Sequence, residues 1–477
     1  MKGFFQGIAL TVAIGAFGFA GFAQAKSIQM QDGRWLDTET GLTGESQAEV
    51  TSDATSSAPL AMIEASPSIG LRDAVTRARV LLQEHLDATR PKKPKTVASK
   101  NAWVDVTLAV WNSGTGEIKL VSAKKDGNSL KESDPDLEVA VSRTNGINSQ
   151  YAVDDGSGKI FVVGVEYPIL TEKVISKHKK VYTLNDVLYV PYSDKLQVPE
   201  MVAWGAQTLD GYVSDVYGQL REQGIMSRAM PGRLLADVID PNLVKSIVFI
   251  EHAGNGVTVN DPKGVTDAIK VVLAANQGNA YAYSVSVAGA RGLVQFIPST
   301  YKLMTRRNDL GLIKDFVAGM TDPHNAIKAE VAYLDAELAN MPADIRALAD
   351  TDMPKLDTYL AAAYNGGGGR VHKAIAAFGE SWADSHSSEL AALQDRYDTL
   401  FSQAASLKKK ILAENDPKIW KPMQAKLTGV RAERAAVQAQ ITKLKSSSLH
   451  SETAWYVKKL KAVLPIVSPS STTLAAL

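Results

Sequence analysis

Asp240-Pro241-Asn242-Leu243-Val244-Lys245-Ser246-Ile247-Val248-Phe249-Ile250-Glu251-His252 is the stretch on which the reading of this chain turns. Asp followed by Pro is a strong helix start: the Asp side chain caps free N–H groups and Pro fits the first helical position. Leu243, Val244, Ile247, Val248 and Ile250 then recur at helical spacing. Glu251 lies three and seven residues after Val248 and Val244, so the spacing predicts a helix ending in a carboxylate on its apolar face. A carboxylate there is costly unless paired or protonated. Such surroundings raise its pKa, as a general acid working near neutral pH requires. The other reading is a glutamate at a helix end that turns out to water, and this segment alone does not separate the two.

The bulk properties narrow the field. A chain of 477 residues has room for two or three domains. A formal net charge of +1 gives no electrostatic case for nucleic acid. The chain has no cysteine, which excludes disulfides, thiol catalysis and thiolate metal sites. Its seven histidines show no metal-ligand spacing, so no metal and no cofactor is expected. At the N-terminus Lys2 precedes an apolar run over residues 4–23, and Ala23-Gln24-Ala25 has the small-x-small cleavage pattern. Residues 1–25 therefore read as a secretory signal peptide cleaved before Lys26, with an uncleaved membrane anchor as the alternative. Either way the bulk of the chain is expected outside the cytoplasm.

Residues 26–100 read as a disordered linker rich in Ser, Thr, Gly and acidic residues, with one short helix from Leu71 to about Thr89. Arg90-Pro91-Lys92-Lys93-Pro94-Lys95 follows as a solvated basic run. Over residues 101–195 the period changes to that of strands, at 103–111, 117–121, 137–141, 160–165 and 187–190, with Asp-Gly and Asn-Gly turns between them. This small, mostly β domain shows no catalytic constellation; it is either a binding module or a packing platform. Residues 196–233 return to helical spacing and read as a connecting helix.

Four further segments follow Glu251 in a fixed order. Gly289-Ala290-Arg291-Gly292-Leu293-Val294-Gln295-Phe296-Ile297-Pro298-Ser299-Thr300 is a Gly-rich turn running into an apolar stretch. There Gln295 can offer donor and acceptor to an amide or a sugar. Asp322-Pro323-His324-Asn325-Ala326-Ile327 opens a helix that reads as structural. Ala363-Tyr364-Asn365-Gly366-Gly367-Gly368-Gly369-Arg370-Val371 ends one helix and opens another, and its four glycines allow backbone to pass close to substrate. Tyr364 taken alone reads equally as a core residue. Ser451-Glu452-Thr453-Ala454-Trp455-Tyr456-Val457 starts a C-terminal helix.

Taken in this order the motifs resemble those of the soluble lytic transglycosylase (SLT) family, goose-lysozyme-like enzymes that cleave bacterial peptidoglycan. The resemblance covers roughly residues 234–465. It implies a mainly α-helical lysozyme-like catalytic domain, which together with the small β domain preceding it makes an α+β multidomain chain. Residue by residue, Glu251 matches the catalytic acid and Gln295 a substrate-contacting position. Tyr364 and Asn365 match the Ala-Tyr-Asn motif, whose Tyr is implied to hydrogen-bond near the catalytic carboxylate. Glu452 is implied to line the groove. Three departures stand out. His252 occupies the position where the family usually has Ser, so its imidazole is a candidate modulator of the acid by hydrogen bonding or titration. Val294 replaces a Met. The link from Glu251 to Gly292 is much longer than usual, and residues 254–283 read as an insertion with a helix over 265–275 that loops near the groove.

A second insertion spans residues 380–449. Leu393, Tyr397, Leu400, Ala404, Leu407 and Ile411 alternate four and three apart, as do Met423, Leu427, Val430, Val437, Ile441 and Leu444, with Arg434 breaking one seam position. This predicts an antiparallel helical hairpin of coiled-coil type, punctuated by Asp416-Pro417 and Lys421-Pro422. Residues 466–477 read as a disordered tail.

The resemblance implies a periplasmic or cell-envelope lytic transglycosylase with one acid. Glu251 protonates the oxygen bridging N-acetylmuramic acid and N-acetylglucosamine, and the ionised Glu251 then takes the proton from the muramic acid 6-hydroxyl, giving a 1,6-anhydro end. A hydrolytic muramidase needs a second carboxylate to activate water; Asp261 and Asp267 are the open candidates. A catalytically weak wall-binding scaffold of an envelope-spanning machine is the third reading. The expected partners are peptidoglycan strands and an envelope protein docking on the 380–449 hairpin or the β domain. Nucleic acid is not expected, and membrane only if the signal segment stays uncleaved.

Overall fold

In the computed structural model, residues 69–89, 96–97, 103–132, 137–176, 179–384 and 386–468 are described, with short strand segments at 27–29, 35–37 and 43–44. The expected signal peptide, most of the expected linker, the basic run at 90–95 and the tail from 469 lie outside the described residues. Within the expected linker, β1 (Ser27–Gln29), β2 (Trp35–Asp37) and β3 (Thr43–Gly44) pair antiparallel in that order.

Helix α1 (Leu71–Thr89) is not a linker element. It lies on a six-stranded antiparallel sheet formed by β4 (Thr96–Val97), β5 (Val104–Asn112), β6 (Ile118–Asp126), β7 (Ser129–Glu132), β10 (Ile160–Ser176) and β11 (Lys179–Tyr189), in the order β4-β11-β10-β5-β6-β7. β8 (Glu138–Arg143) and β9 (Gln150–Asp154) form a separate hairpin. The expected strand at 187–190 is the end of a much longer hairpin, β10–β11, while β7 and β9 were not foreseen. The nearly unbroken apolar run of β5 follows from burial on both faces. Ala109 and Trp111 meet the helix side with Leu71, Val75 and Leu82, while Val106, Leu108 and Val110 join the main core. Gly164 permits this approach, since a Cβ there would meet Leu82 at 2.8 Å.

The helical body comprises α2 (Pro199–Glu222), α3 (Pro241–Glu251), α4 (Asn255–Asn260), α5 (Pro262–Asn276), α6 (Pro298–Met304), α7 (Phe316–Thr321), α8 (Pro323–Ala339), two single-turn helices α9 (Ala343–Arg346) and α10 (Leu348–Thr351), α11 (Met353–Gly366), α12 (Gly368–Phe378), and, after the hairpin, α15 (Ser451–Val467). Asp-Pro starts recur. Asp240, Asp261 and Asp322 each accept a hydrogen bond from a first-turn N–H (Asn242, Gly264 and Asn325, all 2.8 Å).

Two expectations change here. The helix read as a connection, α2, belongs to the core of the helical body, burying Leu209, Val213, Val216, Tyr217 and Leu220. The segment read as looping near the groove is mostly interior, because α5 buries Ile269 and every residue from Val271 to Asn276. It runs so close to α2 that a Cβ on Gly205 would stand 1.8 Å from the Lys270 carbonyl. Its last residue, Asn276, bonds both the N–H (2.7 Å) and the carbonyl (2.9 Å) of Val190 at the end of β11. That amide fastens the sheet to the helices.

The hairpin is formed by α13 (Ser387–Ala413) and α14 (Pro417–Ser447), with Leu400, Ala404, Leu427, Val430, Val437 and Ile441 buried along the seam. Arg434 interrupts the apolar pattern without a gap: its guanidinium lies 5.7 Å from the Tyr397 ring and 5.4 Å from that of Phe401. Asp416-Pro417 opens α14, whereas Pro422 lies inside it and breaks nothing. Pro465 likewise lies within α15, so the helix continues past the expected start of the tail.

Candidate functional site

Glu251 is the last residue of α3, half-buried, beyond Ile247, Val248, Phe249 and Ile250. Its Oε1 accepts a hydrogen bond from the Tyr456 hydroxyl at 2.8 Å. Oε2 has no protein partner among the described residues and is not sealed from solvent. Burial pushes its pKa from 4.5 up to about 7; the Tyr456 hydrogen bond and the Lys459 ammonium oppose that shift, and Glu452 adds to it. The carboxyl thus titrates near neutrality, with one oxygen held and one available.

Tyr456 and Lys459 come from α15, on one face at positions i and i+3. The buried Lys459 Nζ donates to the carbonyls of Ile250 (2.9 Å) and Ala253 (3.1 Å). It therefore caps the C-terminal end of the Glu251 helix, where a cation is favoured. Burial lowers its pKa to about 8, with Glu251 and Glu452 pulling it back up. Sequence reasoning missed both side chains, although Tyr456 stands inside a quoted motif and Lys459 is a charge on an otherwise apolar face.

His252 does not touch the carboxylate. Its ring nitrogen Nε2 lies 2.9 Å from the Leu293 carbonyl, an acceptor, so Nε2 carries the proton and donates. The ring stacks on Tyr281 at 3.6 Å and 16°. Burial lowers its pKa to about 4, against the raising effect of the Leu293 hydrogen bond. At neutral pH His252 is an uncharged clamp on the turn carrying Gln295.

Tyr364 clamps the same turn from α11. Its hydroxyl donates to the Val294 carbonyl at 2.6 Å, so the tyrosine on the acid is Tyr456 and not Tyr364. Tyr364 instead builds the floor, stacked on Phe296 (5.6 Å) and Tyr456 (6.4 Å) and edge-on to Tyr333 (5.5 Å). Gln295 sits at φ +49 and donates to the Gly292 carbonyl at 2.8 Å. Gly292 itself is at φ +76, and a Cβ there would meet the Met320 carbonyl at 1.9 Å, so only glycine fits. Asn365 accepts from the Thr453 hydroxyl at 2.8 Å, joining the Ala-Tyr-Asn segment to the start of α15; Glu452 beside it is exposed. In the four-glycine run, Gly366 packs against Thr453 and the Gly368 N–H donates to Glu337 at 2.7 Å, while Gly367 and Gly369 face open space.

A second carboxyl lies close by. Glu330, on the inner face of α8, is fully buried, and neither oxygen has a hydrogen-bond partner among the described residues. Burial first, and then Glu251, hold its pKa well above the carboxylate range. The α8 helix was read as structural, and helical periodicity does not reveal that one polar position on its inner face is sealed. The two open candidates for a water-activating base are otherwise engaged. Asp261 caps α5, and Asp267 pairs with Lys270 at 3.0 Å and with Lys263.

Residues 237–386 match the family model described as Transglycosylase SLT domain. No curated protein and no solved structure matches the chain. The matched span ends before the hairpin, so Tyr456 and Lys459 reach Glu251 from outside it.

Proposed function

We propose, for a chain that carries a transglycosylase SLT domain and hence the equipment for lytic-transglycosylase-type peptidoglycan breakdown, that Glu251 is the sole acid and base of the reaction. The observation that carries this reading is a half-buried carboxyl, pushed up to about 7, with one oxygen held by Tyr456 and the other without a partner among the described residues. Protonated Glu251 donates from its free oxygen to the bridging oxygen of the N-acetylmuramic acid–N-acetylglucosamine bond. The leaving sugar takes the proton, and positive charge develops at the anomeric carbon. The substrate's own N-acetyl group stabilises that charge, as in substrate-assisted glycosidases. Ionised Glu251, now stabilised by the Tyr456 hydroxyl and Lys459, takes the proton of the muramic acid 6-hydroxyl. That oxygen bonds to the anomeric carbon and closes the 1,6-anhydro ring. Each transfer uses an acid poised near the working pH.

The surroundings favour this route over hydrolysis. A hydrolytic base must be ionised and in contact with water. Glu330 is sealed and held protonated, while Asp261 and Asp267 are committed to structure. The reading includes export to the cell envelope, supported by the apolar run over residues 4–23 and Ala23-Gln24-Ala25. Incubating the protein and its Glu251→Gln variant with peptidoglycan, followed by mass spectrometry of the soluble products, tests the proposal. Anhydro-muropeptides from the first and none from the second are expected. Reducing ends from the unaltered chain would replace it with a muramidase.

A further inference from the structure

The end of the hairpin farthest from Glu251 has a composition that packing does not explain. The seam continues out to Leu407 and Ile411, so the two helices stay paired to the turn. With 27 residues in α13, the tip stands ~40 Å from the hairpin base at 1.5 Å rise per residue. There Leu412 is 77% exposed and Ile419 44% exposed, with Trp420 half-buried beside them. Lys408, Lys409, Lys410, Lys418 and Lys421 lie within one helical turn of them along the chain, every one exposed, and none forms an ion pair among the described residues. The two acidic residues of the turn cap backbone: Glu414 accepts from the Asp416 N–H (2.9 Å), and Asp416 from that of Lys418 (2.8 Å), so lysines outnumber carboxylates at the tip.

We propose that this tip is a membrane-surface contact that docks on anionic phospholipid. Leu412, Ile419 and Trp420 enter the headgroup–acyl boundary, and the lysines on both helices meet the lipid phosphates. Two features point to a bilayer rather than an acidic wall polymer. A hydrated polymer satisfies the cations but offers nothing to the exposed aliphatic side chains. A bilayer supplies both an anionic surface and an apolar phase within a few ångströms. Tryptophan at the junction of the two suits its apolar ring and polar N–H. The contact does not depend on the chemistry at Glu251.

Flotation of the full chain with phosphatidylcholine vesicles, with and without about one third phosphatidylglycerol, tests the proposal. Binding is expected on the anionic vesicles only and should weaken with salt, since exposed charges are screened. A Lys408→Gln/Lys409→Gln/Lys410→Gln chain should bind about a hundredfold more weakly at low salt, because each basic residue near such a surface contributes severalfold. A Leu412→Ser/Ile419→Ser chain should lose about tenfold through the apolar part. Any contribution of residues 1–25 is common to all three chains, so the difference between them reports the tip. Unchanged helicity and peptidoglycan lysis would show that both variants are folded. Equal binding of all three chains, equal binding to neutral vesicles, or no binding would overturn the proposal. So would lysine-dependent binding to purified peptidoglycan in its place.

Discussion

Removing one hydroxyl should move the pH profile of this protein in a known direction. Tyr456 donates to Glu251 Oε1 at 2.8 Å and so favours the ionised carboxylate. Tyr456→Phe keeps the ring and its stacking on Tyr364 but removes that bond. A hydrogen bond to a charged group is worth about 1.5–3 kcal/mol. At about 1.4 kcal/mol per pKa unit this is about 1–2 units. Water reaching the half-buried carboxyl recovers part of it, so a rise of about one unit is expected, from about 7 to about 8. In the proposed mechanism the reactive free enzyme carries protonated Glu251, so kcat/KM falls above that pKa. Initial rates of peptidoglycan solubilisation measured from pH 5 to 9 should therefore show the alkaline limb displaced upward by about one unit. A limb that stays in place or moves down would refute the assignment of Glu251 as the acid and of Tyr456 as its partner.

Four further outcomes follow from the same geometry. Glu251 keeps its proton in the folded chain up to about 7, whereas the unfolded chain releases it near 4.5, so its burden on stability grows as pH rises through that window. Glu251→Gln should therefore unfold at nearly the same temperature as the parent at pH 4 and a few degrees above it at pH 8, about 3 kcal/mol more stable, by differential scanning calorimetry. Lys459→Met strips two carbonyls of their donor and should cost about 2–4 kcal/mol in chemical unfolding, with Glu251 titrating higher. Gly292→Ala, blocked by both its φ and the Met320 carbonyl, should cost at least about 2 kcal/mol and lower activity by displacing the Gln295 turn. Asp335→Ala should cost about 3–5 kcal/mol, because buried Asp335 accepts from the N–H groups of Arg228 (2.8 Å) and Ala229 (3.2 Å) and pairs with buried Arg307 (3.3 Å).

What sequence revealed here was what local chemistry dictates. Asp240-Pro241 and the apolar run after it announce α3 and its terminal carboxylate, because capping and periodicity are short-range. The heptad-like spacing of Leu400, Ala404, Leu427 and Val430 announces the hairpin for the same reason. The failures came from long-range burial. α5 was read as the helix of an insertion looping near the groove because its periodicity does not show which elements cover it; it packs on α2 and α15 and shares a core with α1. Within Glu452-Thr453-x-x-Tyr456 the charged residue attracted the functional reading; Glu452 is exposed and raises the Glu251 pKa, while the tyrosine four residues on, passed over, hydrogen-bonds the Glu251 carboxyl. Glu330 and Lys459 were passed over because sequence alone does not show which polar side chains on apolar faces end up buried.

The position of α15 in the chain has a temporal consequence. Glu251 is synthesised, and emerges from any export channel, some two hundred residues before the tyrosine and the ammonium that complete its surroundings. Between them lies the whole hairpin, which pairs with itself and needs no help from α15 to form its seam. A nascent or interrupted chain therefore displays the acid without Tyr456 or Lys459, and with the end of its helix uncapped. The surroundings of this carboxyl are therefore complete only once the last helix has docked.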